Sequence, residues 1–152
     1  MDPKDKSDRI GLGLVAAANL CRALEIYVKI LHFQHFRLLP EEHDLPEIIS
    51  KLPMDSRHHL SETYEINIAR SASLKISSFT LSNSERGWHL LEAPEPRMET
   101  FDDAIEHLSE IHLAWRRTYE RLFEPQTTTL NFRALLAAIA AVDIVIAAPS
   151  RR

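Results

Sequence analysis

Cysteine is nearly missing from this chain. Cys21 is the single one in 152 residues, so no internal disulfide can form, and a reducing, cytoplasmic setting is expected. Cys21 falls on an apolar helical stripe, which suits a buried small hydrophobe better than a nucleophile. Glycine is almost as scarce, with Gly11, Gly13 and Gly87 only. That argues against glycine-rich phosphate loops and the nucleotide folds built on them. The G-x-G at Gly11 and Gly13 has no third glycine in register and precedes no strand. Excess positive charge is lacking too. Eighteen Lys and Arg against 22 Asp and Glu leave a net charge of −4, so any nucleic-acid site must be a local basic patch. Long apolar runs are absent. The most apolar stretch, Ala134 to Ala148, is broken by Asp143 and is too short to span a membrane, so it is expected to be a buried helix. The opening MDPKDKSD has no apolar centre and does not read as a signal peptide. No membrane partner and no cofactor are expected.

What the chain does have is helical periodicity. The apolar share of 45% and the charged share of 26% are those of an ordinary globular protein, and the length suits one domain with one core. Thr100 to Glu124 reads as one long helix. Its inner stripe is Phe101, Ile105, Leu108, His112, Trp115, Tyr119 and Leu122, with steps of four and three. Thr100 and Asp103 resemble a capping box, and Pro125 stands just past the far end.

An earlier helix, capped by Ser7 or Asp8, is predicted to run to about Leu38, before Pro40. Its stripe is Ile10, Leu14, Ala17, Cys21, Leu24, Val28 and Leu31. Glu25 and Lys29 are spaced for an i,i+4 pair on a more polar flank. Ile26, Ile30 and Phe33 form a second apolar flank, which calls for a second neighbour or a partner subunit. Asp44 is placed to cap a short helix with Pro46 in its first turn, burying Leu45, Ile48, Ile49 and Leu52 before Pro53. A third helix is predicted from about Asp55 to Ser71. Periodicity then fails through residues 71–98, where serine, Asn83, Gly87, Pro94 and Pro96 gather. Lys75 to Leu81 alternates like a strand, but a lone strand has no partner. A long irregular loop is expected there, with at most a helical turn at Glu85 to Leu91 and with Trp88 pinning the loop to the body. Gln126 to Thr129 reads as a polar turn. A last helix, apolar nearly all round, is predicted from Leu130 or Asn131 to Ala147. The fold class is therefore all-α: an antiparallel up-and-down bundle of four to five helices, with a long loop before the fourth.

Several polar groups suggest chemistry. His112, Arg116 and Glu120 follow at intervals of four and share one ridge beside Trp115 and Tyr119. One reading is a polar pocket in which Arg116 receives an anion such as phosphate. The other is a structural network, with Glu120 on Arg116 and His112 hydrogen-bonded inside the bundle. His-Leu-Ser-Glu occurs twice, at His59 to Glu62 and His107 to Glu110. It offers metal-ligand types at i,i+3 but in the reverse order to di-iron bundles. His107 and Glu110 lie off the apolar stripe and are expected to face water, so no metal site is expected. Asp143 must meet a cation or reach the surface.

Three stretches together resemble a known family. Ala23-Leu24-Glu25-Ile26-Tyr27-Val28-Lys29 lies on the early helix. His43-Asp44-Leu45 opens the short one. Trp115-Arg116-Arg117-Thr118-Tyr119-Glu120 looks like a tryptophan-arginine-tyrosine-x-tyrosine-glutamate motif. The combination resembles the HEPN superfamily over most of the chain. The resemblance implies an antiparallel helical bundle, a homodimer, and an RNA or nucleotide connection, since many members are metal-independent ribonucleases of toxin–antitoxin and phage-defence systems. Active members carry an arginine and, four to six residues on, a histidine near the start of a late helix. Here Arg117 stands where that motif has tyrosine, and the late helices hold no such pair. Arg37 and His43 match the spacing only across Pro40, in a loop. No catalytic residue is therefore carried over. His43, Asp44, Trp115, Arg116, Tyr119 and Glu120 are carried over as candidates to hold the bundle or its polar site. The expected role is non-catalytic binding or regulation, with RNA, a nucleotide or another protein as partner. The alternative is a metal-independent ribonuclease using Arg116 and His112 in an unfamiliar arrangement, and after it a metal-binding helical bundle using the His-Leu-Ser-Glu pairs.

Overall fold

The structure is a computed structural model. It describes residues 3–73, 79–84, 87–92, 98–118 and 126–148, with side chains at 12, 15–72, 98–112 and 129–148. Five α-helices make the body: α1 (Pro3–Phe36), α2 (Leu45–Ser50), α3 (Met54–Arg70), α4 (Phe101–Thr118) and α5 (Phe132–Ala147). The all-α bundle of four to five helices expected from periodicity is what forms.

The helix ends follow local chemistry. Asn131 caps α5, its side chain accepting the Ala134 amide at 2.9 Å. Thr100 Oγ1 accepts the Asp103 amide at 3.2 Å at the head of α4. α1 stops at Phe36, ahead of Pro40, because Arg37 turns left-handed with φ of 55°. Its amide closes on the Phe33 carbonyl at 2.9 Å, a helix-ending turn for which glycine is the usual residue. A non-glycine residue there costs on the order of 1 kcal/mol.

The predicted stripes meet in one core. Ala17, Cys21, Leu24, Val28 and Leu31 of α1 are buried with Leu45 and Ile48 of α2, Leu60 and Tyr64 of α3, and Phe101, Ile105 and Leu108 of α4. α5 packs against both α1 and α3. Its buried Ala134, Ala138 and Ala141 permit this, since alanine lets a neighbouring helix come close and loses no rotamer freedom. Tyr64 shows how polar atoms are accommodated. Its ring lies edge-on to Phe101, with centroids 5.8 Å apart, while its hydroxyl donates to the Met98 carbonyl at 2.9 Å.

The region before α4 departs from expectation. A short 3-10 turn, Ser71–Ser73, ends α3, and two strands follow, β1 (Phe79–Ser84) and β2 (Gly87–Glu92). They pair antiparallel, Phe79 opposite Glu92 and Ser84 opposite Gly87. A third strand, β3 (Gln126–Leu130), pairs antiparallel with the other edge of β1, giving the order β2-β1-β3. The expected loop, the helical turn at Glu85 to Leu91 and the polar turn at Gln126 to Thr129 are therefore corrected to a small sheet appended to the bundle. Of the alternating stretch Lys75 to Leu81, Phe79 to Leu81 lie in β1, and residues 75–78 lie outside the described residues. The partners of β1 lie in a hairpin and in a threonine run far along the chain, and β-branched threonine suits a strand. Lys75 and the side chain of Trp88 lie outside the described residues.

Candidate functional site

The most concentrated polar chemistry among the described residues lies where α1, the segment leading into α2, and α4 meet. At its centre is Glu25, only 7% exposed on the flank of the α1 stripe. Both of its oxygens are engaged. Lys29 Nζ, one turn along α1, stands 3.1 Å from Oε1. His43 Nδ1 donates to the same oxygen at 2.5 Å. From α4, His112 Nε2 lies 2.8 Å from Oε2, an ion pair when the imidazole is protonated. Beside them, Ser109 Oγ donates to Asp44 Oδ1 at 3.2 Å. Asp44 stands at the N-cap of α2, yet its side chain makes no capping bond there.

The electrostatics follow from the geometry. Burial pushes the Glu25 carboxyl up, but the hydrogen bonds from His43 and Lys29 and the nearby charges of His112 and Lys29 outweigh it and hold the group below its usual range. Glu25 therefore stays a carboxylate at neutral pH. His43 must present its Nδ1 proton inward, because a carboxylate can only accept. That leaves the outer part of a side chain that is 43% exposed turned to the surface. His112 is 7% exposed.

Three of the residues singled out from the sequence thus converge: His43, Asp44 and His112. Arg116 and Trp115 follow His112 on α4, but their side chains lie outside the described residues, as do Tyr119 and Glu120 altogether. Glu25, the residue that joins the histidines, is absent from the sequence-derived candidates, which put it on a polar flank. A signal was available. Cys21, Glu25, Val28 and His32 follow at steps of four, three and four, and all four are buried, so Glu25 and His32 sit at the edge of the core stripe.

The other polar candidates are dispersed. His107, expected in water, is half-buried. Burial pushes its imidazole down, opposed by a hydrogen bond with the Thr129 backbone and by the Glu110 charge. His58 pairs with Glu62 at 3.2 Å on an open face of α3. Asp143 reaches the surface, one of the two outcomes that burial energetics allow it. Among the described residues, no three His, Cys, Asp or Glu side chains are arranged to hold a metal ion. Among the same residues, no helix is long and apolar enough to cross a membrane.

The chain matches no family model, no curated protein and no solved structure. Function must therefore be argued from the residues. The cluster around Glu25 can hold three elements together and can store or release protons. Its charged atoms are largely satisfied by one another.

Proposed function

We propose that this chain is a HEPN-like, non-catalytic binding or regulatory protein that acts as a homodimer in the cytoplasm. Its partner in this reading is RNA or another protein of a toxin–antitoxin or phage-defence system. The observation that carries the reading is how Glu25, Lys29, His43 and His112 are used. Residues from two of the three stretches behind the resemblance, and His112 from the helix that bears the third, are spent on each other at a helix junction. A ribonuclease built on His112 needs an imidazole that can approach a phosphodiester. His112 is instead buried against Glu25.

The homodimer rests on the outer side of α1. Ile26, Ile30 and Phe33 are 50%, 40% and 41% exposed, and Val15 lies further back on the same helix, also exposed. α1 has 34 residues, twice the length of α3 at 17. A second α1 matches that length.

Light scattering tests the dimer, with Ile30→Glu and Phe33→Glu expected to give monomers. RNA binding at two salt concentrations tests the partner. Arg116→Ala is expected to weaken binding and to lower the salt slope by about one phosphate contact. Cleavage of RNA by the wild type that disappears in His112→Ala overturns the non-catalytic reading.

A further inference from the structure

We propose that two copies of this chain dock α1 against α1 as an antiparallel coiled coil, in a register set by Asn19 and Arg22. This rests on the homodimer reading above and adds the direction and alignment of its contact. The carrying observation is a second stripe on α1, on the side opposite the buried one that runs from Ala17 to Leu31. Leu12, Asn19, Ile26 and Phe33 follow at intervals of seven, with Val15 and Arg22 between them, and all six side chains are exposed. Leu12 and Val15 are 71% and 60% exposed. Steps of three and four keep such a set on one side of a helix. A seam that repeats every seven residues is the kind a partner helix covers. From Leu12 to Phe33 it is about 32 Å long, at 1.5 Å per residue.

The polar pair inside the seam identifies the occupant and its direction. Asn19 and Arg22 lie one turn apart, and among the described residues neither has a hydrogen bond or ion pair. A helix laid over the seam must meet both, since a covered polar group without a partner is costly. A second α1 running parallel sets Arg22 against the partner's Arg22, like charge on like charge. Running antiparallel, it sets Asn19 against the partner's Arg22, and the two-fold axis generates the same pair again beside the first. The guanidinium donates and the Asn19 amide oxygen accepts. The same alignment sets Val15 against the partner's Ile26 on either side of the polar centre, apolar on apolar. Sliding by four residues sets Asn19 against the partner's Ile26 and leaves the amide covered without a partner. A polar residue in an apolar seam fixes register in this way.

Cysteine cross-linking tests the alignment on the full chain. Cys21 is 2% exposed and faces the core, so introduced thiols react alone. Val15 and Ile26 are exposed, so their replacement leaves the core untouched. The double variant Val15→Cys, Ile26→Cys sets each thiol opposite its counterpart across the dimer. On mild oxidation it is expected to link at least about tenfold faster than either single variant. In each single variant the two identical thiols stand about 16 Å apart along the seam, beyond disulfide reach. Adding Asn19→Leu to the double variant is expected to keep the dimer in light scattering but to lower the cross-linked yield, because an all-apolar seam admits other alignments. Rapid linking of Ile26→Cys alone means a parallel pair and overturns the inference while leaving the homodimer. So does a double variant that is dimeric in light scattering yet links no faster than the single ones. Undiminished yield with Asn19→Leu overturns the register. A monomeric wild type overturns the homodimer reading and this inference together.

Discussion

Replacing Glu25 by alanine tests the centre of the molecule most directly. The substitution removes the one acceptor shared by Lys29, His43 and His112. Truncating one partner of a fully buried ion pair costs about 3 to 5 kcal/mol, because the other charge is stranded. The Lys29 and His43 side chains here are 18% and 43% exposed, so they recover part of their hydration. His112, at 9%, recovers little. The expected loss is therefore at the low end, ~3 kcal/mol. Urea unfolding reads it out. With a slope of about 2 kcal/mol per molar, the midpoint falls by about 1.5 M. Glu25→Gln keeps the volume and one acceptor oxygen, so its loss is smaller. A double-mutant cycle of Glu25→Ala with His43→Ala is expected to show a coupling of about 1 to 3 kcal/mol. A midpoint shift below about 0.5 M for Glu25→Ala refutes the reasoning. It would mean that the cluster behaves like an exposed surface pair, worth under about 1 kcal/mol.

Leu135→Ala, at a fully buried position of α5, is expected to cost about 2 to 5 kcal/mol in the same assay. Asn131→Ala removes the α5 cap and is expected to cost about 1 kcal/mol, with Asn131→Asp restoring most of it. Burial of His107 pushes its imidazole below the ordinary value, so the folded state resists its proton. The sign then follows: stability is full above the ordinary histidine value of about 6.5 and is lost as pH falls through it. His107→Gln is expected to flatten the fall in urea midpoint between pH 7.5 and 5.5. Burial also pushes the Cys21 thiol up to about 12, so thiol titration at neutral pH is expected to label it only as fast as the protein unfolds.

The sequence by itself determined the helices and the faces they bury. Helical period is a local property. Steps of three and four between Ala17 and Leu31, and between Phe101 and Leu108, name the buried side whatever the helices pack against, and those residues are buried. Caps are equally local, and Thr100 and Asn131 act as their neighbours require. Tertiary structure alone decided two further things. It decided that residues 79–84 are the central strand of a sheet, because one partner, 87–92, follows directly but the other, 126–130, pairs with them only once the chain has returned through α4. It also decided that Glu25 is the hub of the polar cluster. A charge at the edge of an apolar stripe is solvated or buried according to what the next element brings to it. Here a loop and a distant helix bring two imidazoles to the same carboxylate, and no spacing along α1 carries that information.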